Sequence, residues 1–337
     1  MAALYSLIAV VAIGLLAVLA AQSGAGRAAV GVAIPYAAFT VFLAGFCYRV
    51  VRWALAPVPF RIPTTCGQQK SLPWLKRSPL DNPSGALGAV GRMALEVLFF
   101  RSLFRNNSAR LEKDRLIFGE EKALWLAALG FHVSLLVILL RHLRLLVEPV
   151  PALILRLERV DGFMQVGTPE IYASDAVLLV AGLYLLARRF RDPLVRYVSL
   201  FSDYFALFLI LGIGGTGVLM RYITRVDVVA IKQLALGVVS FHPVVPPNLG
   251  AMFLAHLLLV CTLGAYFPFS KLMHMGGIFL SPTRNLANNN RRKRHINPWN
   301  YPVKTHTYAE WEEEFHDKLV AAEIPLEAED ARTVSAD

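Results

Sequence analysis

The stretch FHVSLLVILLRH, Phe131 to His142, places two histidines ten residues apart inside one of the most apolar parts of a 337-residue chain. Ionisable side chains inside a bilayer are costly and usually face the interior of a helix bundle, so they are candidate functional groups. The composition indicates a membrane protein: 56% of the residues are hydrophobic, only 17% are charged, and the mean hydropathy is +0.51.

Six segments are long and apolar enough to cross a hydrocarbon core, which takes about 20 helical residues. They are residues 4–22, 28–48, 123–147, 171–187, 200–223 and 249–269. The first has no basic residue before it and no clear small-residue cleavage site after it, so we expect a retained helix and not a removed signal peptide. The expected fold is an all-α integral membrane bundle of about six transmembrane helices.

Basic residues outside these segments concentrate on one side of the predicted membrane. The connections between helices two and three and between helices four and five carry 13 and 4 of them, and 9 follow helix six, against 1, 2 and 2 in the other connections. The positive-inside rule then places both termini in the cytoplasm of a bacterium or archaeon. The organisation expected is amino-terminal helices (1–48), a cytoplasmic loop (49–122), a transmembrane core (123–275) and a cytoplasmic tail (276–337).

The cytoplasmic loop contains GRMALEVLFFRSLFRN, Gly91 to Asn106. Its large apolar residues recur at helical spacing: Met93, Val97, Phe100 and Phe104. This pattern predicts an interfacial amphipathic helix, although a helix that docks a partner would have the same pattern. In the tail, we expect the regions of Trp299 and Trp311 to be ordered against a partner and the last ten or so residues to be disordered.

Four histidines form the central candidate site. His132 and His142 belong to the third predicted helix, and His256 and His274 lie on and just beyond the sixth. Haem b needs two axial imidazoles on opposite faces of its ring, which facing helices of a bundle can supply. Since the two helices run in opposite directions, two haems would pair His142 with His256 near the outer side and His132 with His274 near the inner side.

The spacing of the histidines is unequal. The ten-residue step on the third helix rises about 15 Å, and the eighteen-residue step from His256 to His274 would rise about 27 Å on a straight helix. Pro268 can bend or end the sixth helix before His274 and so reduce this difference.

Three other interpretations compete with haem. The histidines could be hydrogen-bonded packing residues of a non-redox membrane anchor, or they could line a transporter, although no inverted repeat or matching pair of broken helices is visible. A compact zinc site is disfavoured because no Asp or Glu lies beside the histidines. Cys47, Cys66 and Cys261 are scattered, which argues against an iron–sulfur site or a disulfide framework.

Two haems across a membrane would form a path for electrons, and the resemblance of the histidine pattern to quinone-reactive cytochromes b implies quinone chemistry at one end. Quinol oxidation releases protons, so a proton-accepting group is expected near the outer haem. The candidates are Asp175, Tyr172 and Glu170, together with Arg221 and Tyr222. Asp175 is the first choice, and a charge that merely favours a helix amino terminus is its alternative interpretation.

Further polar residues near the outer side have two interpretations each. Arg141 and Arg144 flank His142 and could pair with haem propionates, or they could extend to the lipid interface. His242 could close a quinone pocket or be a solvated loop residue. The glycines of LGIGGTGV suit close packing of helices or a haem face. These are Gly212, Gly214, Gly215 and Gly217.

The spacings H-x9-H on one helix and H-x17-H on a later one resemble the gamma subunits of respiratory nitrate reductases. In that family the first and last of four histidines hold one haem and the middle two hold the other. The resemblance therefore implies the pairs His132 with His274 and His142 with His256. The family carries a functional lysine in the corresponding helix, and this chain has none.

A second resemblance covers most of the chain. The stretches that carry it are KRSPLDNPS (Lys76 to Ser84), GRMALEVLFFRSLFRN, KLMHMGGIFLSPTRN (Lys271 to Asn285) and NPWNYPV (Asn297 to Val303). They resemble the DsrM subunits of the DsrMKJOP complexes of dissimilatory sulfur metabolism. This implies a cytochrome b with two haems b, which exchanges electrons between menaquinone or a related quinone and a cytoplasmic iron–sulfur subunit related to heterodisulfide reductases (DsrK-like).

The same resemblance implies that the other DsrMKJOP-type subunits are partners and that activity requires the complex. We expect loops 49–122 and 188–199 to form the docking surface for the cytoplasmic partner.

Overall fold

Long apolar helices form most of the described chain. The computed structural model describes residues 1–56, 68–164, 169–280, 286–289 and 305–327. Its helices are α1 (Ala2–Ala20), α2 (Gly24–Ala28), α3 (Ile34–Ala54), α4 (Ala86–Phe99), α5 (Arg101–Phe104), α6 (Lys122–Leu146), α7 (Ala152–Asp161), α8 (Ala173–Arg191), α9 (Pro193–Val198), α10 (Phe201–Leu219), α11 (Val228–Val239), α12 (Ala251–Tyr266), α13 (His274–Leu280) and α14 (Tyr308–Ala321). Its strands are β1 (Asn107–Glu112), β2 (Arg115–Glu120), β3 (Gly162–Met164) and β4 (Ile171–Tyr172).

Within the described ranges, five helical segments are long and apolar enough to cross a membrane. They are Ala2–Ala20, Gly24–Ala54, Lys122–Leu146, Phe201–Thr224 and Ala251–Phe269. The fourth predicted span corresponds to α8, which packs along α6 and α10. Its uncharged stretch is shorter because Asp175 lies in its first turn and three arginines lie in its last turn. The prediction of an all-α integral membrane bundle of about six helices is confirmed.

Helix α10 lies at the centre of the bundle. Its residues join two buried apolar clusters, one with α6 and α8 and one with α1 and α12. A Cβ atom on Gly214 would lie 3.3 Å from Leu178 of α8, and one on Gly212 would lie 3.3 Å from Val10 of α1. These two glycines therefore let the neighbouring helices approach α10 closely.

The two ends of the bundle are named here after the orientation predicted from the sequence. The outer end contains the helix termini at Leu146, Ala173, Thr224 and Ala251. The inner end contains the helix termini at Lys122, Arg191, Phe201 and Tyr266.

The sixth span does not continue as a straight helix to His274. Helix α12 ends at Tyr266, Phe267–Phe269 and Lys271–Met273 form 3₁₀ turns, and Ser270 between them is extended, with φ −115° and ψ 176°. Gly45 of α3 permits this path, because a Cβ there would lie 2.7 Å from the Pro268 Cβ atom. The prediction that the helix bends or ends at Pro268 is confirmed, and the long rise calculated for a straight helix does not occur.

The helix predicted within Gly91 to Asn106 is wrong in its extent. Phe100 adopts a left-handed conformation, with φ 50° and ψ 48°, and separates α4 from α5. The carboxylate of Glu96 accepts hydrogen bonds from the backbone N–H and the hydroxyl of Ser102, which holds this break in place. Residues on both sides of Phe100 consequently lie on different helices and share no single apolar face.

The face that α4 buries is also different from the prediction. Arg92 is 1% exposed and Glu96 is 8% exposed. In contrast, Leu87, Val90 and Leu98 are exposed. Helix α4 thus buries two charged side chains and leaves several of its large apolar side chains exposed.

An antiparallel hairpin follows this helix pair, and the sequence did not predict it. Strands β1 and β2 pair from Asn107 opposite Glu120 to Glu112 opposite Arg115. The two turn residues, Lys113 and Asp114, have φ values of 47° and 63°. Positive φ at both central residues defines the mirror-image turn that matches the twist of a two-residue hairpin.

Residues 305–327 belong to a second compact unit. Its helix α14 begins with a capping box, in which Thr307 and Glu310 each bond the backbone of the other. The Trp311 ring contacts the rings of Tyr308 and Phe315, at centroid distances of 5.6 and 5.9 Å. Cys66, the stretch Asn297 to Val303 with Trp299, and the last ten residues lie outside the described residues.

Candidate functional site

The inner pair of histidines joins α6 to the start of α13. The ring centroids of His132 and His274 lie 6.0 Å apart, with the ring planes inclined by 79°. The rings of Phe100 and Phe131 meet His132 edge to face, at 5.0 and 5.4 Å. The break at Phe100 therefore places an aromatic side chain of the loop segment directly beside this pair.

The outer pair joins α6 to α12. The ring centroids of His142 and His256 lie 6.4 Å apart, and the ring planes are nearly parallel, at 13°. A Cβ on Gly217 of α10 would lie 3.5 Å from the His256 ring, so the glycine leaves room for this ring. The structure brings together the same two pairs that helix direction predicted.

All four rings are fixed through Nδ1. The Nδ1 atoms of His132, His142 and His274 lie 2.7 to 2.8 Å from the backbone carbonyl oxygens of Ala128, Ile138 and Lys271. That of His256 lies 2.9 Å from Thr216 Oγ1. Because a carbonyl oxygen can only accept, Nδ1 is the donor in those three rings. We infer the same tautomer for His256, since the Thr216 hydroxyl donates to the backbone of its own helix. In a neutral imidazole of this tautomer, Nε2 carries the lone pair that a metal-binding histidine uses.

The geometry of both pairs fits a metal held between two imidazoles. Two rings bound to one metal at about 2 Å from each nitrogen have centroids roughly 6 to 6.5 Å apart. Both measured distances fall in this range. Among the described residues, no group of three or more His, Cys, Asp or Glu side chains could hold a metal ion. Each pair can supply two imidazole nitrogens, a donor set that suits haem iron.

A buried guanidinium lies beside the outer pair. Arg141 has a side chain that is 9% exposed, and its Nη1 atom donates to Asp161 Oδ2 at 2.5 Å and lies 3.3 Å from Asp175 Oδ1. The same nitrogen lies 2.8 Å from Ser174 Oγ. One cation thus lies between two largely buried carboxylates. It compensates negative charges whose burial in an apolar environment would otherwise be energetically unfavourable.

Aromatic hydroxyl and cation–π contacts complete this arrangement. The Tyr172 ring lies between two guanidinium groups, 3.5 Å from Arg141 Cζ and 4.0 Å from Arg221 Cζ. Tyr222 donates to Asp175 Oδ2 at 3.1 Å and accepts from the backbone N–H of Tyr172. We call this group the outer polar cluster. It consists of Arg141, Asp161, Tyr172, Ser174, Asp175, Arg221 and Tyr222.

The end of α10 supplies two members of the cluster through an irregular turn. Met220–Thr224 is π-helical, and it carries Arg221 and Tyr222. Such wide turns occur frequently at functional sites because they redirect side chains that a regular helix would present elsewhere. The sequence identified both residues as candidates but not the turn that positions them.

The remaining residues predicted for the site lie around the cluster. The backbone carbonyl of Glu170 accepts from Arg221 Nη2 at 3.0 Å. Arg144 pairs with Glu158 at 2.7 Å and stays 44% exposed. His242 is exposed in the outer loop, with Nδ1 2.7 Å from Ser240 O.

Asp161 and Thr216 were not among the residues predicted for the site. Asp161 ends α7, whose charged, amphipathic sequence ALILRLERVD predicts only an outer connection. The available signal was Arg141 itself, because a buried arginine within a span needs a carboxylate partner. Thr216 lies among the glycines of LGIGGTGV, a pattern that favours close packing of helices. Its contact with His256 is visible only in the structure.

A second charged network supports the inner end. Asp81 is buried and accepts from Arg101 Nη1 at 2.5 Å, Arg105 Nη1 at 2.7 Å and Ser78 Oγ at 2.8 Å. Burial opposes ionisation of this carboxyl, but the hydrogen bonds from the two arginines and the serine outweigh it and hold its pKa well below the usual range. Residues 78–81 are thereby tied to α5, immediately after the Phe100 break.

Asp81→Asn is expected to loosen the segment of residues 78–105 at neutral pH. Since the pKa of Asp81 is lowered on folding, its stabilising contribution is complete above the ordinary value of 3.8 and is lost only as the pH falls towards the lowered value. Hydrogen exchange between pH 5 and 8 should therefore show a pH-independent loss of about 1.5–3 kcal/mol of local stability. Asp114→Asn, in the exposed hairpin turn, is the control. Equal exchange in both variants would contradict the anchoring role.

The fold and site define a multi-pass membrane protein whose helical bundle holds four histidines in two facing pairs. The model of the nitrate reductase gamma subunit family matches residues 93–291. The chain therefore belongs to the nitrate reductase gamma subunit family.

Two relatives are similar over most of their length, and both are described as an Hdr-like menaquinol oxidoreductase cytochrome b-like subunit. The protein from Archaeoglobus fulgidus is 44% identical over 276 residues, which cover 80% of this chain and 82% of the relative. The protein from Archaeoglobus profundus is 43% identical over 274 residues, which cover 79% and 81%.

Proposed function

We propose that the protein is the membrane cytochrome b subunit of a respiratory complex, which holds two haems b and exchanges electrons between a quinone pool and a cytoplasmic iron–sulfur partner. The observation that carries this proposal is the geometry of the four histidines. The histidines form two facing pairs, with the ring separation expected for two imidazoles bound to one iron, and each ring is held by a hydrogen bond at Nδ1. Packing of the helices alone would not require this arrangement. When bound, haem would supply reversible one-electron transfer.

The quinone site is proposed at the outer polar cluster, next to the outer histidine pair. Arg141 directly precedes His142 on α6, and Tyr222 lies in the π-helical turn that follows α10, six residues after Thr216, the partner of His256. Asp175 is the proposed proton acceptor for quinol, with Tyr172 and Glu170 at the same site. The names of the two relatives favour menaquinol as the electron donor.

Contacts with haem propionates are proposed for the arginines beside His142. Arg144 is the better placed of the two, because its guanidinium is partly exposed and has one carboxylate partner. Arg141 is enclosed by Asp161 and Asp175, so its contribution to haem binding would be mainly electrostatic.

The cytoplasmic partner is proposed to dock at the inner end, on loops 49–122 and 188–199, with both termini of the chain in the cytoplasm. The contact between Phe100 and His132 supports this, because it links the first loop to the inner histidine pair. The sequence resemblance to DsrM supports a DsrK-like partner, further DsrMKJOP-type subunits and a role in dissimilatory sulfur metabolism. Crosslinks confined to the outer loops would contradict this docking surface.

The test of the proposed function is the haem content of the purified full-length chain, measured by pyridine haemochrome, and its reduction by menadiol. We expect close to two haems b per chain and reduction of both. Protein made with adequate haem supply that contains none would leave a non-redox anchor or a transporter as the function.

Thr216→Val tests the hydrogen bond that orients His256. Valine has nearly the shape of threonine but cannot accept from Nδ1, so the outer haem should bind about 10–100-fold more weakly. Thr216→Ser keeps the hydroxyl and is the control. Haem titration of both variants, followed by absorbance, measures the effect, and equal affinities would exclude Thr216 as the orienting group.

A further inference from the structure

We propose that Asp161 is a positioning residue of the quinone site, which fixes Arg141 and the start of α8 so that Asp175, hydrogen-bonded by Tyr222, can accept the proton of the quinol. This inference rests on the proposed function. It assigns different tasks to the two carboxylates that share Arg141, although both belong to the outer polar cluster.

The hydrogen bonds of Asp161 are all directed to groups that hold the fold. Its Oδ2 accepts from Arg141 Nη1 at 2.5 Å and from the Ser174 hydroxyl at 2.6 Å. Its Oδ1 accepts from the backbone N–H of Ser174 at 2.8 Å. That N–H is one of the donors at the first turn of α8 that lack a partner within the helix. Asp161 therefore caps α8 from the neighbouring helix and clamps the guanidinium with the same carboxylate.

Asp175 is held much less completely. Its Oδ1 lies 3.3 Å from Arg141 Nη1, and its Oδ2 accepts from the Tyr222 hydroxyl at 3.1 Å. Although it lies in the first turn of α8, its described partners are side chains, and the cap is supplied by Asp161. A carboxylate with long hydrogen bonds to a cation and to a phenol can take up a proton without breaking the α8 cap.

Oxidation of one quinol to quinone releases two electrons and two protons. In the proposed step each O–H bond of the quinol breaks and its proton passes to the Asp175 carboxylate and then to the outer aqueous phase, while haem held by the outer histidine pair would accept the two electrons one at a time. Asp175 is faced by Arg141 and Tyr222 directly, and by Asp161 across Arg141. Loss of Asp161 would release Arg141 and the start of α8 and so misplace Asp175.

The test compares Asp161→Asn, Asp175→Asn and Glu148→Gln in the haem-loaded full-length chain. Glu148 follows α6 at the outer end and pairs with Lys232, which is neither in the cluster nor among the arginines proposed to contact haem. Haem content is measured by pyridine haemochrome, and the rate of haem reduction is measured by stopped flow against menadiol concentration and pH.

Asp175→Asn is expected to lower the limiting rate by about 10²-fold or more and to remove the rise of the rate with pH, since it deletes the proton acceptor. Asp161→Asn is expected to lower the rate by about 10–100-fold through misplacement while keeping that rise. Glu148→Gln should leave both unchanged.

Two results would overturn the inference: rates for Asp161→Asn equal to those of Glu148→Gln, or loss of the pH-dependent rise in Asp161→Asn but not in Asp175→Asn. Ser174→Ala, which keeps every charge, should shift the rate in the same direction by a smaller factor. If Asp161→Asn does not fold, Ser174→Ala becomes the deciding variant, because an unchanged rate in that variant would refute the positioning role of Asp161. Wild-type protein without haem would instead overturn the proposed function.

Discussion

Replacing any one of the four histidines with alanine is expected to remove one of the two haems per chain. The two replacements within a pair should remove the same haem. His132→Ala and His274→Ala should abolish one component of a redox titration, and His142→Ala and His256→Ala should abolish the other. The reason is geometric, because the two rings of each pair lie at 6.0 and 6.4 Å and no ring can serve both pairs. Pyridine haemochrome and optical redox titration of the purified variants measure the loss.

His242→Ala is the matched control for this series. His242 also has its Nδ1 bonded to a backbone oxygen, but it is exposed in the outer loop and faces no second imidazole in the described structure. It should keep both haems. Loss of both haems in every one of the four variants would indicate that the pairs are not independent, and loss of none would exclude the histidines as ligands.

Arg141→Met is expected to destabilise the folded protein by about 3–5 kcal/mol, because it leaves the buried carboxylates of Asp161 and Asp175 without their shared cation. Arg144→Met removes a neighbouring arginine that is 44% exposed, and it should change stability by only about 0–1 kcal/mol. Unfolding in detergent at constant haem content compares the two variants.

A second variant separates charge from packing at this position. Combining Arg141→Met with Asp161→Asn and Asp175→Asn removes the charges together, and it should recover much of the lost stability. If Arg141→Met alone were as stable as Arg144→Met, the buried ion pairs would have no part in holding α6, α7 and α8 together.

The spans and the grouping of histidines could be predicted because few physical constraints determine them. Hydrocarbon thickness sets the length of an apolar helix, so the predicted span at 123–147 lies within one residue of α6 at each end. Antiparallel directions then allow His142 to approach only the early histidine of the sixth span. Pro268 removed the one geometric objection, since proline cannot continue a helix interior.

The errors concern residues whose conformation depends on contacts far away in sequence. Periodicity could not show the left-handed Phe100, because the break is held by Glu96 and Ser102 and by the packing of Phe100 on His132. It could not show that Arg92 faces inward, because charged residues in amphipathic patterns normally face water. Asp161 could not be predicted, because its contacts with Arg141 and Ser174 form only when α7 folds back against the start of α8.

The division of each histidine pair between α6 and the last span has a consequence for biogenesis. Ribosomes release α6 and its two imidazoles long before α12 and His274 have been synthesised and inserted. A cofactor that needs one ring from each side therefore cannot be held by both ligands until the final span is in place. Haem loading would be a late, post-insertional step, and a chain truncated before residue 256 would contain half of every ligand set and complete none.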